Sequence, residues 1–244
     1  MKSITASNYL SRKGIDESIR TFGKGFSEEA KVIDIGCGDK PYARYFRCQY
    51  YGLDVANNSK ADYVGDILNN QLSDATYDGI VMTQVLEHVE DAQKAIDEVE
   101  RLLKPGGRAF ISAPFCMRVH ETPISSDIAK YNNFNKNIHP IWQRDYWRFS
   151  KYGLIVLCKN FTRVEINETT GYLCTILQMI NYFFASFGVP YVFIPVYLFN
   201  NLIGRTLDVF ADVFCKNSHW SVLQKFYNLI HKGLTLNYVV IAEK

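Results

Sequence analysis

The chain has 244 residues, a formal net charge of +2, 21% charged residues and 48% hydrophobic residues. That length suits one large domain or a domain with an elaboration. Charges of both signs are spread along it without a basic run of the kind that tracks nucleic acid, so no nucleic-acid partner is expected.

Residues 1–28 contain a leading helix, expected over Ser7 to Phe22, with Tyr9, Leu10, Ile15 and Ile19 available for one face. No long apolar core follows the N-terminus, so no signal peptide is expected. The cysteines Cys37, Cys48, Cys116, Cys158, Cys174 and Cys215 form no C-x-x-C pair, and they read as reduced thiols in a cytoplasmic protein. Strand one is Lys31 to Ile35, a β-branched run closed by Gly36-Cys37-Gly38, and a helix is expected from Pro41 to Phe46 because proline suits the first helical position. Strands two to four are expected at Gln49 to Asp54, Asp62 to Val64 and Tyr77 to Met82. A helix from Ala92 to Leu103 is stopped by Lys104-Pro105-Gly106-Gly107, and strand five is Arg108 to Ala113. A helix near Lys151 to Asn160 leads to strand six, Arg163 to Ile166, and the last strand is Leu236 to Ile241. Strands alternating with helices imply an α/β fold with a mostly parallel sheet covered on both faces.

The turn after strand one carries the most information. A dinucleotide fingerprint needs a third glycine or alanine three residues after Gly38, where this chain has Pro41. Asp34 would repel phosphate oxygens and attract an ammonium or a sulfonium. An acidic Gly-x-Gly turn therefore suits a cationic ligand without phosphate, S-adenosylmethionine, and makes a nicotinamide-dependent oxidoreductase a poor reading. Asp54 and Asp66 also fall at or just after strand ends, the edge at which open α/β sheets bind ligands. Asp54 lies near the offset at which an acid takes ribose hydroxyls. Asp66 could accept from an adenine amino group while Ile67 packs on the ring; the alternative for Asp66 is a helix N-cap.

With these pieces in order, the chain resembles class I S-adenosylmethionine-dependent methyltransferases of the methyltransferase type 11 kind. The matching segments are Val32-Ile33-Asp34-Ile35-Gly36-Cys37-Gly38, Asp54, Gly65-Asp66-Ile67, Gln84-Val85-Leu86-Glu87-His88-Val89 and Leu103-Lys104-Pro105-Gly106-Gly107. The resemblance covers roughly residues 30–170 and implies a Rossmann-like seven-stranded sheet of order 3-2-1-4-5-7-6 with strand seven antiparallel. It implies cofactor contacts along the turn Gly36-Cys37-Gly38 and at Asp34, Asp54, Asp66, Ile67 and Gln84.

Methyl transfer is an in-line displacement at a cationic sulfur, so the protein must align a nucleophile and, for a hydroxyl, accept its proton. Histidine suits that role. His88, after strand four, and His120, after strand five, are the candidate bases, with His139 a weaker one in an apparent inserted loop. Glu87-His88 is not accompanied by a second carboxylate–histidine cluster, so no metal is expected. Tyr146-Trp147-Arg148 lies in a block, Asp145 to Ser150, that resembles a stretch in family members from surface-polysaccharide gene clusters. Tyr146 and Trp147 could stack on a sugar or ring and Arg148 could hold a phosphate or carboxylate; the alternative is a helix entry with Ser150 as cap. In that group the block closely follows a His-x-x-Pro segment, whereas here Ile124 to Arg144 intervene.

Two insertions are expected in the single methyltransferase domain (residues 1–244): 114–149 after strand five, and a helical, apolar cap at 167–233 between strands six and seven. No Asp, Glu, Lys or Arg occurs from Thr169 through Gly204. Thr175, Gln178 and Asn181 make one thin polar stripe on an otherwise apolar helix, which must be deeply buried or in lipid. Gly188, Pro190 and Pro195 leave each piece shorter than the roughly 20 residues needed to span a bilayer. The segments Leu202 to Phe214 and His219 to Lys232 look amphipathic, with Leu207, Phe210 and Phe214 opposed to Asp208 and Asp212. Residues 172–203 are therefore either a self-packed cap or a membrane-contacting surface, at the inner membrane face of a cytoplasmic protein. The acceptor expected from the polysaccharide-cluster resemblance is a hydroxyl on a glycan, a lipid-linked sugar or another amphipathic molecule. The competing readings are a quinone or other lipophilic ring methyltransferase and a catalytically inactive cofactor-binding interaction protein.

Overall fold

The computed structural model describes residues 3–56, 60–117, 145–232 and 234–244. The described strands are β1 (Lys31–Ile35), β2 (Gln49–Asp54), β3 (Tyr63–Val64), β4 (Tyr77–Thr83), β5 (Leu103–Pro114), β6 (Arg163–Glu168) and β7 (Asn237–Glu243). They form one seven-stranded sheet in the order β3-β2-β1-β4-β5-β7-β6, as the resemblance implies. β1 lies parallel to β2 (Val32 beside Tyr50) and to β4 (Val32 beside Gly79), and β4 lies parallel to β5. β7 runs the other way: the Phe115 amide donates to Leu236 while the Gly106 amide donates to Lys244. Val32, Ile33, Ile80, Val81, Phe110 and Ile111 are buried, as expected of strands covered on both faces.

The helices are α1 (Tyr9–Gly23), α2 (Ala92–Leu102), α3 (Lys151–Leu157), α4 (Tyr172–Ala185), α5 (Ile194–Phe210) and α6 (Ser221–His231). Asp91 caps α2 by accepting from the Lys94 amide, and Ala92, Ala95, Ile96, Val99 and Leu102 form its buried face. Two expected elements differ. The helix at Pro41 is only a 3-10 turn, Ala43–Tyr45. Residues 36–48 are all that join β1 to β2, and Phe46 is already extended, buried against Tyr50 and Phe22. Strand five starts earlier than expected, at Leu103. Leu103 pairs with Tyr77 ahead of a bulge, and the Gly106-Gly107 stretch is held by hydrogen bonds with Lys244, so the helix stop is itself extended chain.

The chain forms two compact units. The larger contains Ser18–Pro114, residues 145–167 and Tyr238–Lys244; the smaller joins the segment up to Glu17 to Glu168–Asn237. The expected cap insertion is thus the bulk of the smaller unit, and it takes with it the start of the leading helix.

Inside the smaller unit the helical polarity is inverted. On α4, Cys174, Thr175, Gln178, Asn181 and Tyr182 are buried, while Tyr172, Ile176, Ile180 and Phe183 are exposed. On α5, Tyr197, Asn200, Asn201 and Gly204 face inward. The buried amides satisfy one another: Asn181 donates to Asn201 (3.0 Å), Asn200 donates to Asn181 (2.9 Å), and Asn201 donates to the Ile4 and Ala6 carbonyls. Tyr182 donates to Ser11 Oγ at 3.0 Å, whose amide donates to Gln178 Oε1 at 3.3 Å. The amphipathic reading of Leu202 to Phe214 holds for Asp212, which is exposed, but not for Asp208, Phe210 and Phe214. Asp208 is on the inner side, where its 2.6 Å ion pair with Lys13 makes burial tolerable, and Phe210 and Phe214 are exposed.

Candidate functional site

A cleft of about 460 Å³ opens in the larger unit at the carboxyl ends of β1, β2 and β4. Its floor is the glycine turn. Gly36 has φ +68, and a Cβ there would sit 2.3 Å from Val85 Cγ2. Gly38 has φ +48 and open space around the missing Cβ, but it does not line the cleft: its amide donates to Asp54 and its carbonyl accepts from the Lys60 amide. Asp54 is held by this turn. Its Oδ2 accepts from the Gly38 amide and its Oδ1 from the Ala56 amide, both at 2.8 Å. Each oxygen retains a lone pair, so a pre-oriented carboxylate faces the cleft.

Asp66 and Ile67 form the next wall. Asp66 is not a helix cap; its Oδ1 accepts from the Leu68 amide at 2.9 Å in a turn. Ile67 is buried and lines the cleft. Gln84 lines the third side at φ +54, a region rare for residues with a side chain. Its amide donates to the Ser112 carbonyl (3.0 Å) and its Nε2 to Ser112 Oγ (3.3 Å), which anchor the strained position to β5. Val55, Leu68, Val85, Val89 and Glu90 also line the cleft and were not singled out by sequence. Val55 and Leu68 directly follow a singled-out residue, so position alone could have indicated them. Asp54, Asp66 and Glu90 are the acids of the lining, and no lysine or arginine belongs to it among the described residues.

Besides Gly38, two more residues of this turn, Asp34 and Cys37, do not line the cleft. Asp34 is 1% exposed; its Oδ2 accepts from Tyr50 Oη at 2.8 Å, while Oδ1 has no hydrogen-bond partner. Burial, opposed by the Tyr50 bond and reinforced by Asp54, pushes its carboxyl up to about 7. Cys37 is turned toward β2, its Sγ 2.4 Å from where a Cβ on Gly52 would sit. Burial and the charges of Asp34 and Asp54 push its thiol up to about 12, so only its backbone remains for the turn.

His88 ends a 3-10 turn, Leu86–His88, and lines the cleft, its Nε2 3.9 Å from Oε1 of the buried Glu87. The Tyr146 to Arg148 block runs alongside this turn. The Tyr146 amide donates to the Glu87 carbonyl (2.8 Å), and the Trp147 indole donates to the Val89 carbonyl (2.9 Å). The guanidinium of Arg148 is taken up by both Asp145 oxygens and by the Trp147 carbonyl, which leaves it poorly placed to hold a separate anion. Ser150 does cap α3, accepting from the Gly153 amide at 3.1 Å. Thus the block borders the His88 wall and also enters a helix. His120 and His139 lie outside the described residues. No group of three or more metal-ligating side chains occurs among the described residues, and the six cysteines are free.

Known proteins are similar to this chain in sequence and in fold. The sequence profile of the family described as a methyltransferase domain matches residues 8–157, more than half of the chain. The chain belongs to this methyltransferase domain family. Its relatives include a ubiquinone biosynthesis O-methyltransferase of Rickettsia bellii, 27% identical over a 176-residue alignment that covers 64% of this chain and 70% of that protein. Among solved structures, a SAM-dependent methyltransferase from Archaeoglobus fulgidus shares the fold at a TM-score of 0.54 and 15% identity, covering 96% of this chain and 94% of that one. Phosphoethanolamine N-methyltransferase 2 from Haemonchus contortus, solved with S-adenosyl-L-methionine, reaches 0.54 at 20% identity, covering 94% of this chain and 52% of that one. The methyltransferase fold is therefore shared well beyond the segment that the family profile matches.

Proposed function

We propose that this methyltransferase moves a methyl group from S-adenosyl-L-methionine to a hydroxyl of an amphipathic small molecule, a glycan or a lipid-linked sugar. One observation carries the donor assignment: an acid-lined cleft without a described basic residue, seated on an open glycine turn. Its volume suits a nucleoside-sized ligand, and its charge favours a cation over a phosphate. The bound donor supplies an activated methyl group on a positively charged sulfur. Asp54, held by two amides, would accept from ribose hydroxyls. Asp66 would accept from the adenine amino group over Ile67, and Gln84 with the backbone at Gly36 would hold the amino-acid end. His88, on the cleft wall, would accept the acceptor's proton, a role it shares as candidate with His120. Tyr146 and Trp147, beside the same wall, would hold the acceptor ring.

The acceptor class rests on the resemblance of the Asp145 to Ser150 block, and residues 172–203 would bring such an acceptor's membrane to a protein at the inner membrane face. Mass spectrometry of cell extracts incubated with labelled donor tests the reading: a product heavier by one CH2 on a saccharide or lipid-linked saccharide is expected. A labelled quinone or phenolic ring instead would establish the second reading, favoured by the O-methyltransferase relative. His88→Ala should lower turnover by about 10²–10⁴ with little change in donor affinity. If His88→Ala and His120→Ala both turn over like wild type, neither histidine is the base.

A further inference from the structure

We propose that the outer face of α4, α5 and the turn after them docks on an anionic lipid bilayer, lying in its interface without crossing it. Two observations within the smaller unit support a lipid surface over a protein partner, and a third determines that the face lies on it without crossing.

The first is the inversion of the helices. A helix that packs on water-soluble protein buries its apolar stripe, whereas here the amides of α4 and α5 are inside and hydrogen-bonded to one another and to backbone carbonyls. Polar groups as the glue between helices, with apolar side chains outward, is the arrangement required by a hydrocarbon surrounding. Phe183 (61% exposed), Phe199 (64%) and Phe214 (62%) are among the large outward side chains of these segments. A protein interface would carry polar groups among such residues to form hydrogen bonds. The Thr169 to Gly204 stretch offers no charged side chain for that purpose.

The second is charge. Past Gly204 the smaller unit carries the exposed bases Arg205, Lys216, Lys225 and Lys232. Its acids there are Asp212 and Asp208, and Asp208 is neutralised by Lys13. Basic residues beside an uncharged apolar face complement anionic headgroups. The exposed Tyr191 and Trp220 have the amphipathic rings that settle at headgroup level.

The third is length. α4 has 14 residues, below the roughly 20 that a span needs; α5 runs on into a π-helical turn, Ala211–Cys215, but carries Arg205, Asp208 and Asp212 along the way, and no helix among the described residues is long and apolar enough to cross a membrane. A face of this kind, docked on a bilayer, would lie in its interface rather than cross it.

The test uses the full chain, sedimented with vesicles of phosphatidylglycerol and phosphatidylcholine or of phosphatidylcholine alone. Light scattering without lipid follows its oligomeric state. Binding to anionic vesicles is expected, weakened by salt. Phe183→Glu with Phe214→Glu should weaken it at least about tenfold through lost apolar insertion. Lys216→Glu with Lys225→Glu should cost about fivefold or more per residue on anionic vesicles only. The lysine pair lies outside any packed contact this proposal uses, so it tests docking even if the phenylalanine pair misfolds, which circular dichroism would report. Absence of vesicle binding by the wild-type chain overturns the proposal. So does a concentration-dependent dimer that Phe183→Glu dissolves while vesicle binding stays absent, which would give the face to a second copy. The outcome does not depend on the transfer reaction, since vesicle binding is read without donor or acceptor.

Discussion

Gly36→Ala is expected to lower donor affinity on the order of 100-fold while the sheet remains folded, through strain and a clash at one atom. Gly36 sits at φ +68, where a side chain costs about 1–3 kcal/mol. The new Cβ would also lie 2.3 Å from Val85 Cγ2. Val85 cannot rotate away freely because it is β-branched, and it lines the cleft, so any adjustment moves a ligand-facing wall. Gly38→Ala is the internal control. It bears φ +48 but its Cβ would meet nothing within 4 Å, so it should cost backbone strain alone. Titration calorimetry with S-adenosylhomocysteine and S-adenosylmethionine compares the two. Equal losses would show that the Val85 contact has no part in shaping the site.

Asp34 should make donor binding depend on pH. Burial holds its carboxyl at about 7, so below that pH the free protein carries a neutral acid under the glycine turn. A cationic ligand favours the ionised form. Affinity should therefore tighten as pH rises toward 7, by at most about tenfold per pH unit, and level off above it. Asp34→Asn should bind weakly with no such slope, and Asp34→Ala should abolish binding with little loss of fold. Stability has the opposite sign. The folded protein holds a proton that the unfolded chain, with the ordinary value of 3.8, releases. The stabilisation from that proton is full below the unfolded value and is lost as pH rises through about 7. Asp34→Asn should thus raise the melting temperature most above neutral pH. Wild-type affinity that is flat from pH 5 to pH 8 would remove Asp34 from any electrostatic role toward the ligand.

The frame of the site was legible because its residues mark themselves locally. A β-branched run must bury both faces, a Gly-x-Gly must turn, and an acid after an apolar run must lie near a strand end, so β1, β2, Asp54 and Asp66 fall where the pattern puts them. Local signals were weaker where two pairings compete. Pro41 permits a helix, but the short connection and the burial of Phe46 leave room only for a 3-10 turn. Lys104-Pro105-Gly106-Gly107 stops a helix, yet the C-terminal Lys244 recruits it as strand. The role imagined for Arg148 also needed a neighbour to settle it, since Asp145 already occupies its donors.

The sequence by itself determined the sheet, its strand order through family resemblance, the acidic glycine turn and the absence of charge from Thr169 to Gly204. Each follows from side-chain pattern over a few residues, where backbone geometry leaves little choice. Tertiary structure decided which side of a pattern faces inward. It sank Asp34 beneath the turn and left Asp54 to face the cleft, because only one of them receives the Gly38 and Ala56 amides. It also turned the thin polar stripe of α4 inward. An amide stripe is costly to bury alone but not when a second helix brings its own amides to meet it, and Asn200 and Asn201 of α5 do so. A helical wheel displays the stripe but cannot show that partner.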